Sequence, residues 1–341
     1  MDPPINIPKS STVPPRLHDI DRAKGLAIFL VVYGHLIADR FPLGNQWYEI
    51  TNKMVYSFHM PFFMFLSGLT MYYAYKPINS VRDYLAYVKK KFVRIAPAFF
   101  LFGFIILAGK LAVSKFLHVD NVPTDLVHEI VLIAIQPSLS VASSLWYVYV
   151  LFELLAIFPL LLMVFRGNVH LLLLLALALY FVNLTSFLLI DSLLKYLIFF
   201  TLGVAAVANY KSYLSTIDRY RCAFVMLFAL SFLLLYYGLD KQSCKLIIGI
   251  CSIPALHALV RTEAAARMTC LTLWGLMCFP IYLMNTIIIG FAKAIALKFM
   301  SWDFGNFLII APILLILGIY GPVLIKRYIF PRIPILDKIT M

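Results

Sequence analysis

Ten apolar segments, each long enough to cross a bilayer, limit what this chain can fold into more than any other feature. A hydrocarbon core of about 30 Å takes roughly 20 helical residues. Such segments run at approximately 24–40, 54–75, 92–113, 144–165, 169–190, 193–209, 221–238, 245–260, 272–297 and 305–325. In hydrocarbon every backbone N–H and C=O must be satisfied inside the segment, so apolar runs of this length become helices. The expected fold is all-α: a polytopic membrane bundle of about ten transmembrane helices. Hydrophobic residues fill 62% of the 341 positions and charged residues 13%, against about 45–50% and about 25% in soluble domains. That balance excludes a soluble enzyme, a disordered chain and a collagen-like repeat. An eleventh, shorter apolar stretch at 127–135 holds His128 and Glu129 and reads as an interfacial or re-entrant piece.

The net charge of +13 would suggest nucleic acid on a soluble protein. Membrane proteins instead collect Lys and Arg on their cytoplasmic loops. With the N-terminus inside, 20 of the 29 cations fall on that side: four between 9 and 24, six between 76 and 94, Arg166, three between 211 and 221, two between 261 and 267, and four between 326 and 338. Both termini are therefore expected in the cytoplasm, and no nucleic-acid partner is expected. Residues 1–23 read as a cytoplasmic segment, 24–325 as one membrane domain and 326–341 as a cytoplasmic tail. The first 23 residues hold five prolines and lack the order of a cleavable signal peptide, so the first helix is expected to be retained. Cys222, Cys244, Cys251, Cys270 and Cys278 form no C-x-x-C pair and read as buried thiols. No metal site is expected.

Ionisable groups inside a span are costly, which makes them functional candidates. Glu153 is the one acidic residue well inside a span, and Trp146 and Tyr149, seven and four residues before it, share its helix face. A structural pair with a cation of another helix is the alternative for Glu153. Lys24 and His35 are eleven residues apart, a near-whole number of turns, so both project from one face about 16 Å apart along the axis. That spacing suits a coenzyme A thioester, with phosphates near Lys24 and the acyl carbon near His35, although a lone His in an apolar helix is more often structural. His59 precedes Pro61, which should disturb the helix there, and it falls at a depth similar to His35. Ser67 and Gly68 suggest close helix packing. Lys91 and Arg94, at i and i+3, belong to a basic cluster that fits either membrane orientation or a nucleotide's phosphates.

Together these stretches resemble the acyltransferase-3 family of integral membrane O-acyltransferases, in particular its fucose 4-O-acetylase-like branch. Asp21-Arg22-Ala23-Lys24-Gly25 with Val31-Val32-Tyr33-Gly34-His35 is similar to the family's basic-x10-His motif. Phe58-His59-Met60-Pro61-Phe62-Phe63 with Leu66-Ser67-Gly68 is similar to its second-span signature, Lys91-Phe92-Val93-Arg94 to its basic-x-x-Arg motif, and Leu145-Trp146-Tyr147 with Glu153 to its tryptophan span. One stretch departs: where the family pattern is often Tyr-Leu-x-His, this chain reads Tyr282-Leu283-Met284-Asn285. Asn can hydrogen-bond but cannot carry a proton. The chain shows no segment like the further hydrolase-like domain of some members, so a membrane unit alone is expected.

The resemblance implies transfer of an acyl group, usually acetyl from acetyl-CoA, to a sugar hydroxyl of a bacterial cell-surface polysaccharide or its lipid-linked precursor. It implies catalysis by His35 with His59 and Glu153, donor binding by Lys24, Lys91 and Arg94, and acceptor contacts from Trp146, Tyr149 and Asn285. His35 would act as a base on the hydroxyl or as a nucleophile through an acyl-imidazole. Acyl-CoA enters as a substrate, no permanently bound cofactor is implied, and the setting is the bacterial inner membrane among its lipids. The rival reading is a multi-span transporter or a flippase-like partner in glycan assembly. Against a transporter, the two halves of the sequence show no matched pair of broken helices.

Overall fold

A computed structural model describes residues 16–37, 42–117, 119, 121–237 and 240–340. Among them the chain forms helices and no strand. In order they are α1 His18–Gly34, α2 Gln46–Tyr73, α3 Val81–Val113, α4 Leu126–Ile135, α5 Trp146–Val164, α6 Val169–Tyr180, α7 Ile190–Ala208, α8 Tyr210–Arg219, α9 Arg221–Ser231, α10 Lys241–Val260, α11 Glu263–Arg267, α12 Thr269–Leu276, α13 Cys278–Phe299, α14 Phe304–Leu324 and α15 Pro334–Ile339. The fold is an all-α polytopic membrane bundle. Seven of the described helical stretches are long and apolar enough to cross a membrane. The outward faces of α6 and α14 expose Leu171, Leu174 and Leu177, and Ile309, Ile313 and Ile316. Apolar faces this extended call for lipid rather than water.

Several expected spans are shorter or differently bounded. The first helix runs from His18 to Gly34 in 17 residues instead of 24–40, and its expected end near Asp39 lies outside the described residues. The segment expected at 169–190 is helical only to Tyr180. Asn183, Thr185 and Ser186 follow, and Thr185 Oγ1 accepts from the Phe187 N–H at 3.1 Å. Short polar side chains of this kind bond the local backbone in competition with the helix. The segment at 221–238 is a short helix, α9, continued by a single 3-10 turn to Leu235. The segment at 272–297 is broken at Met277, between α12 and α13. Pro280 explains the break, since it offers no N–H to the turn before it. Pro61 has no such effect: α2 runs unbroken through it. Cys222 also differs from expectation, being exposed at the start of α9, while Cys244 is buried and the other three cysteines are half-buried.

α1 is the central helix, packed against α2, α10, α12, α13 and α14. Two glycine pairs let backbones touch. A Cβ on Gly25 would lie 1.9 Å from the Leu271 carbonyl oxygen, and one on Gly275 of α12 would lie 1.8 Å from that of Asp21. Gly68 and Gly203 do the same for α2 and α7, at 2.0 Å from the Phe200 oxygen and 2.1 Å from the Phe65 oxygen. Small residues at close crossings are the usual device where lipid offers no hydrophobic drive to association. The short α4 is capped by Asp125, and its Glu129 accepts from the Val141 N–H at 3.0 Å. That bond ties α4 to the loop carrying Ser143 and Ser144.

Candidate active site

α1 stops at Gly34, and His35 caps it with φ −89° and ψ 3°. Its N–H is shared between the Val31 and Val32 carbonyls at 3.1 Å each. The imidazole opens into a cavity of about 540 Å³ whose wall also includes Tyr56, Ser143, Ser144, Trp146, Thr286 and Lys293. Among the described residues the ring has no hydrogen-bond partner. A half-buried imidazole with neither nitrogen engaged is available to a molecule entering the cavity.

The opposite wall is built by the start of α5 and the middle of α13. Ser144 Oγ and Thr286 Oγ1 are 3.1 Å apart, and the Tyr282 hydroxyl donates to the Ser144 carbonyl. Behind them the Tyr147 hydroxyl pairs with Ser67 Oγ at 2.6 Å, and the Tyr147 ring stacks on Phe63. Trp146 leans on Tyr196 with centroids 5.1 Å apart, which holds its indole at the wall. Asn285 sits one residue before Thr286 but points away from the cavity. Its Nδ2 donates to the Ile281 and Tyr282 carbonyls at 2.9 and 2.8 Å, and its Oδ1 is buried without a partner.

His59 is buried on α2 behind Tyr56, the two rings edge to face at 5.0 Å. Its Nδ1 is 2.7 Å from the Val55 carbonyl. A carbonyl only accepts, so Nδ1 carries the proton and Nε2 the lone pair. His59 lies within electrostatic range of His35 and Lys245. Tyr56 lies between His59 and the Gly34–His35 peptide, and of the two histidines only His35 lines the cavity.

At the other end of α1, Lys24 lines a smaller cavity of about 170 Å³ with Arg16, Asp21, Thr70 and Tyr73. Lys91 is half-buried on α3, its ammonium 5.3 Å from the Tyr87 ring centroid, and Arg94 one turn on is exposed. Neither lines the Lys24 cavity. Among the described residues Glu153 makes no ion pair, and its Oε2 is buried without a hydrogen bond. It occupies the α3-facing side of α5, between Phe152, which meets Phe92, and Tyr149, which meets Phe99. The Tyr149 hydroxyl donates to the Ala134 carbonyl at 3.3 Å. Of the nine residues singled out from sequence, His35 and Trp146 share the large cavity, His59 backs it, and Lys24 marks the opposite end. Glu153, Tyr149 and Asn285 lie off its wall.

The charges near Lys24 contrast with the open His35. Arg261 forms a fork to Asp218 and donates to Asp19 at 2.8 Å. His257, fully buried, lies 3.4 Å from Asp19 through Nε2 and 2.9 Å from the Tyr213 hydroxyl through Nδ1. Asp218 lies on α8, outside the spans. Its hydrogen bonds from the Arg261 guanidinium hold its carboxyl below the ordinary carboxylate range. Every member of this cluster has a partner.

Sequence reading missed the hydroxyl wall of Ser143, Ser144 and Thr286, and also Tyr56. One signal was available: Tyr48, Asn52 and Tyr56 recur every four residues on α2, a polar stripe that an apolar span would not carry without cause.

The family model described as an acyltransferase domain, acyltransferase-3, matches residues 17–327. The chain belongs to the acyltransferase-3 family. No curated protein and no solved structure matches it. The matched residues take in α1 to α14, so the His35 cavity, the Lys24 cavity apart from Arg16, and the charge cluster all fall within the acyltransferase-3 match. The protein is a membrane acyltransferase.

Proposed function

We propose that the protein moves an acyl group, acetyl in the first instance, from acyl-CoA to a sugar hydroxyl of a bacterial cell-surface polysaccharide or its lipid-linked precursor. This places it in the fucose 4-O-acetylase-like branch, in the bacterial inner membrane with both termini in the cytoplasm. One observation carries the reading: the His35 imidazole, without a hydrogen-bond partner among the described residues, at the wall of a cavity lined by the Trp146 indole and by the hydroxyl-bearing Tyr56, Ser138, Ser143, Ser144 and Thr286. An indole face and hydrogen-bonding hydroxyls suit a sugar, which presents C–H groups on one face and hydroxyls at its edges.

In this reading His35 takes the proton of the acceptor hydroxyl as its oxygen bonds the thioester carbonyl carbon. The tetrahedral oxyanion then collapses, the C–S bond breaks, and the leaving thiolate takes the proton from His35. Hydroxyl donors on the α5–α13 wall support the oxyanion role, which needs preorganised donors in a water-poor site. The α1 helix separates Lys24 from His35 by about 16 Å at 1.5 Å per residue. Coenzyme A phosphates near Lys24, with Lys91 and Arg94 as further cations on α3, leave the pantetheine arm to cover that distance. His59, its tautomer fixed by Val55, backs His35.

The test is release of free thiol from acetyl-CoA by purified protein in nanodiscs, with and without a membrane extract containing lipid-linked saccharides. Acceptor-dependent release supports the proposal. A transporter or flippase-like partner would leave acetyl-CoA intact.

A further inference from the structure

The last carbonyls of a helix have no partner within it, and in a membrane bundle water is not at hand to supply one. At the end of α1 the side chains of α2 supply them. The Tyr48 hydroxyl donates to the Tyr33 carbonyl at 2.7 Å. The Gly34 carbonyl accepts twice, from Asn52 Nδ2 at 3.3 Å and from the Tyr56 hydroxyl at 3.2 Å. Asn52 Nδ2 also meets the Tyr48 hydroxyl at 3.2 Å. The Gly34 carbonyl and the His35 N–H belong to one planar peptide unit. With Asn52 and Tyr56 on its oxygen and Val31 and Val32 on its N–H, that unit is held from both sides. It fixes where the His35 Cα stands.

Gly34 adds an independent observation. A Cβ there would come within 3.1 Å of Tyr56 Cε2, so the Tyr56 ring lies directly against the peptide. The same ring faces the cavity and covers His59. Nothing else in α2 touches the cavity, the His35 peptide and the second histidine at once.

We infer that Asn52 and Tyr56 are positioning residues, holding the His35 imidazole at the cavity wall by gripping the Gly34–His35 peptide. This rests on the reading of His35 as the reacting group. The two residues share one carbonyl, so each single loss is partly covered by the other, and the double loss exceeds the product of the singles.

The experiment compares Asn52→Leu, Tyr56→Phe, the double variant and His35→Ala in nanodiscs, reading kcat, KM for acetyl-CoA and thermal midpoint. Misplacing a reacting group by about 1 Å can cost about 100-fold. Each single variant is expected to lose about 3-fold in kcat and the double about 100-fold by the same reasoning. KM for acetyl-CoA stays unchanged, because the donor's charged end binds at Lys24, and Asn52→Gln recovers part of the loss. An unchanged kcat in the double variant, with His35→Ala inactive, overturns the inference. So does a parallel rise in KM, which marks general loosening. If the double variant does not accumulate, Tyr56→Phe decides alone, since it deletes one oxygen and keeps the ring. Full turnover by His35→Ala would instead sink the proposed function itself, an outcome distinct from failure of the positioning role.

Discussion

The two ends of α1 handle polar groups in opposite ways. Near its N-terminus, Asp19 sits in a closed cluster with His257, Arg261, Asp218 and Tyr213, where every charge meets its complement. At its C-terminus only the backbone is satisfied, by Tyr48, Asn52 and Tyr56, while the His35 ring faces open space. Both ends contain a histidine in an apolar helix bundle. His257 is bonded through both nitrogens and buried completely; among the described residues His35 is bonded through neither. Residue type alone therefore says little about function. Whether the surroundings use up the side chain's hydrogen-bonding capacity separates a structural histidine from a reactive one.

The sharpest way to break this comparison is His35→Ala. Loss of a general base costs about 10²- to 10⁴-fold in rate, so acyl transfer should nearly vanish while expression and thermal midpoint stay at wild-type values. Next comes the Asp19–Arg261–Asp218 cluster. Arg261→Met leaves Asp19 with His257 and Asp218 with Arg221 as partners, and removing one side of a partly buried pair costs about 1–3 kcal/mol. The variant should unfold earlier in a thermal or denaturant series, with turnover per folded molecule preserved. Lys24→Ala should weaken acetyl-CoA binding about 10-fold, the worth of one charge-assisted bond, and should leave a phosphate-free thioester analogue unaffected. Calorimetry on both ligands reads this, and Arg94→Ala in the same series shows whether its exposed guanidinium shares the load.

The smallest effect belongs to Asp218→Asn, worth about 0.5 kcal/mol for a pair partly open to solvent. Its sign with pH follows from the lowered carboxyl. A carboxylate whose folded pKa is depressed adds stability above its unfolded value of about 3.9, and that increment disappears as pH falls through the folded value. Wild type should exceed the variant in thermal midpoint at neutral pH and converge with it well below pH 4.

Fold class was legible because apolar runs in a bilayer have one solution. Span boundaries were less so: α6 ends at Tyr180, ahead of a polar stretch in which Thr185 bonds the Phe187 N–H, and Pro280 breaks a helix where Pro61 does not. Composition does not distinguish those two prolines. Pro61 lies deep in α2 against Gly249 of α10, whereas Pro280 lies in the first turn of α13, where a missing N–H is tolerated. The eleven-residue spacing put Lys24 and His35 on one helix, and each lines a cavity at its own end of α1. Ser144 and Thr286 were not readable, because their meeting depends on how α5 packs against α13, which no local pattern encodes. Glu153 stood out as a charge inside a span, yet its place on the α3 side of α5 emerges only from packing.

The central claim is that the open end of α1 does chemistry and the closed end holds the fold. Ester content of the host's surface glycan, divided by the amount of folded protein, tests it in wild type, His35→Ala and Arg261→Met together. The expected result is wild-type protein levels with no ester for His35→Ala, and reduced levels with wild-type ester per molecule for Arg261→Met. Full ester content in His35→Ala at normal protein level would contradict it.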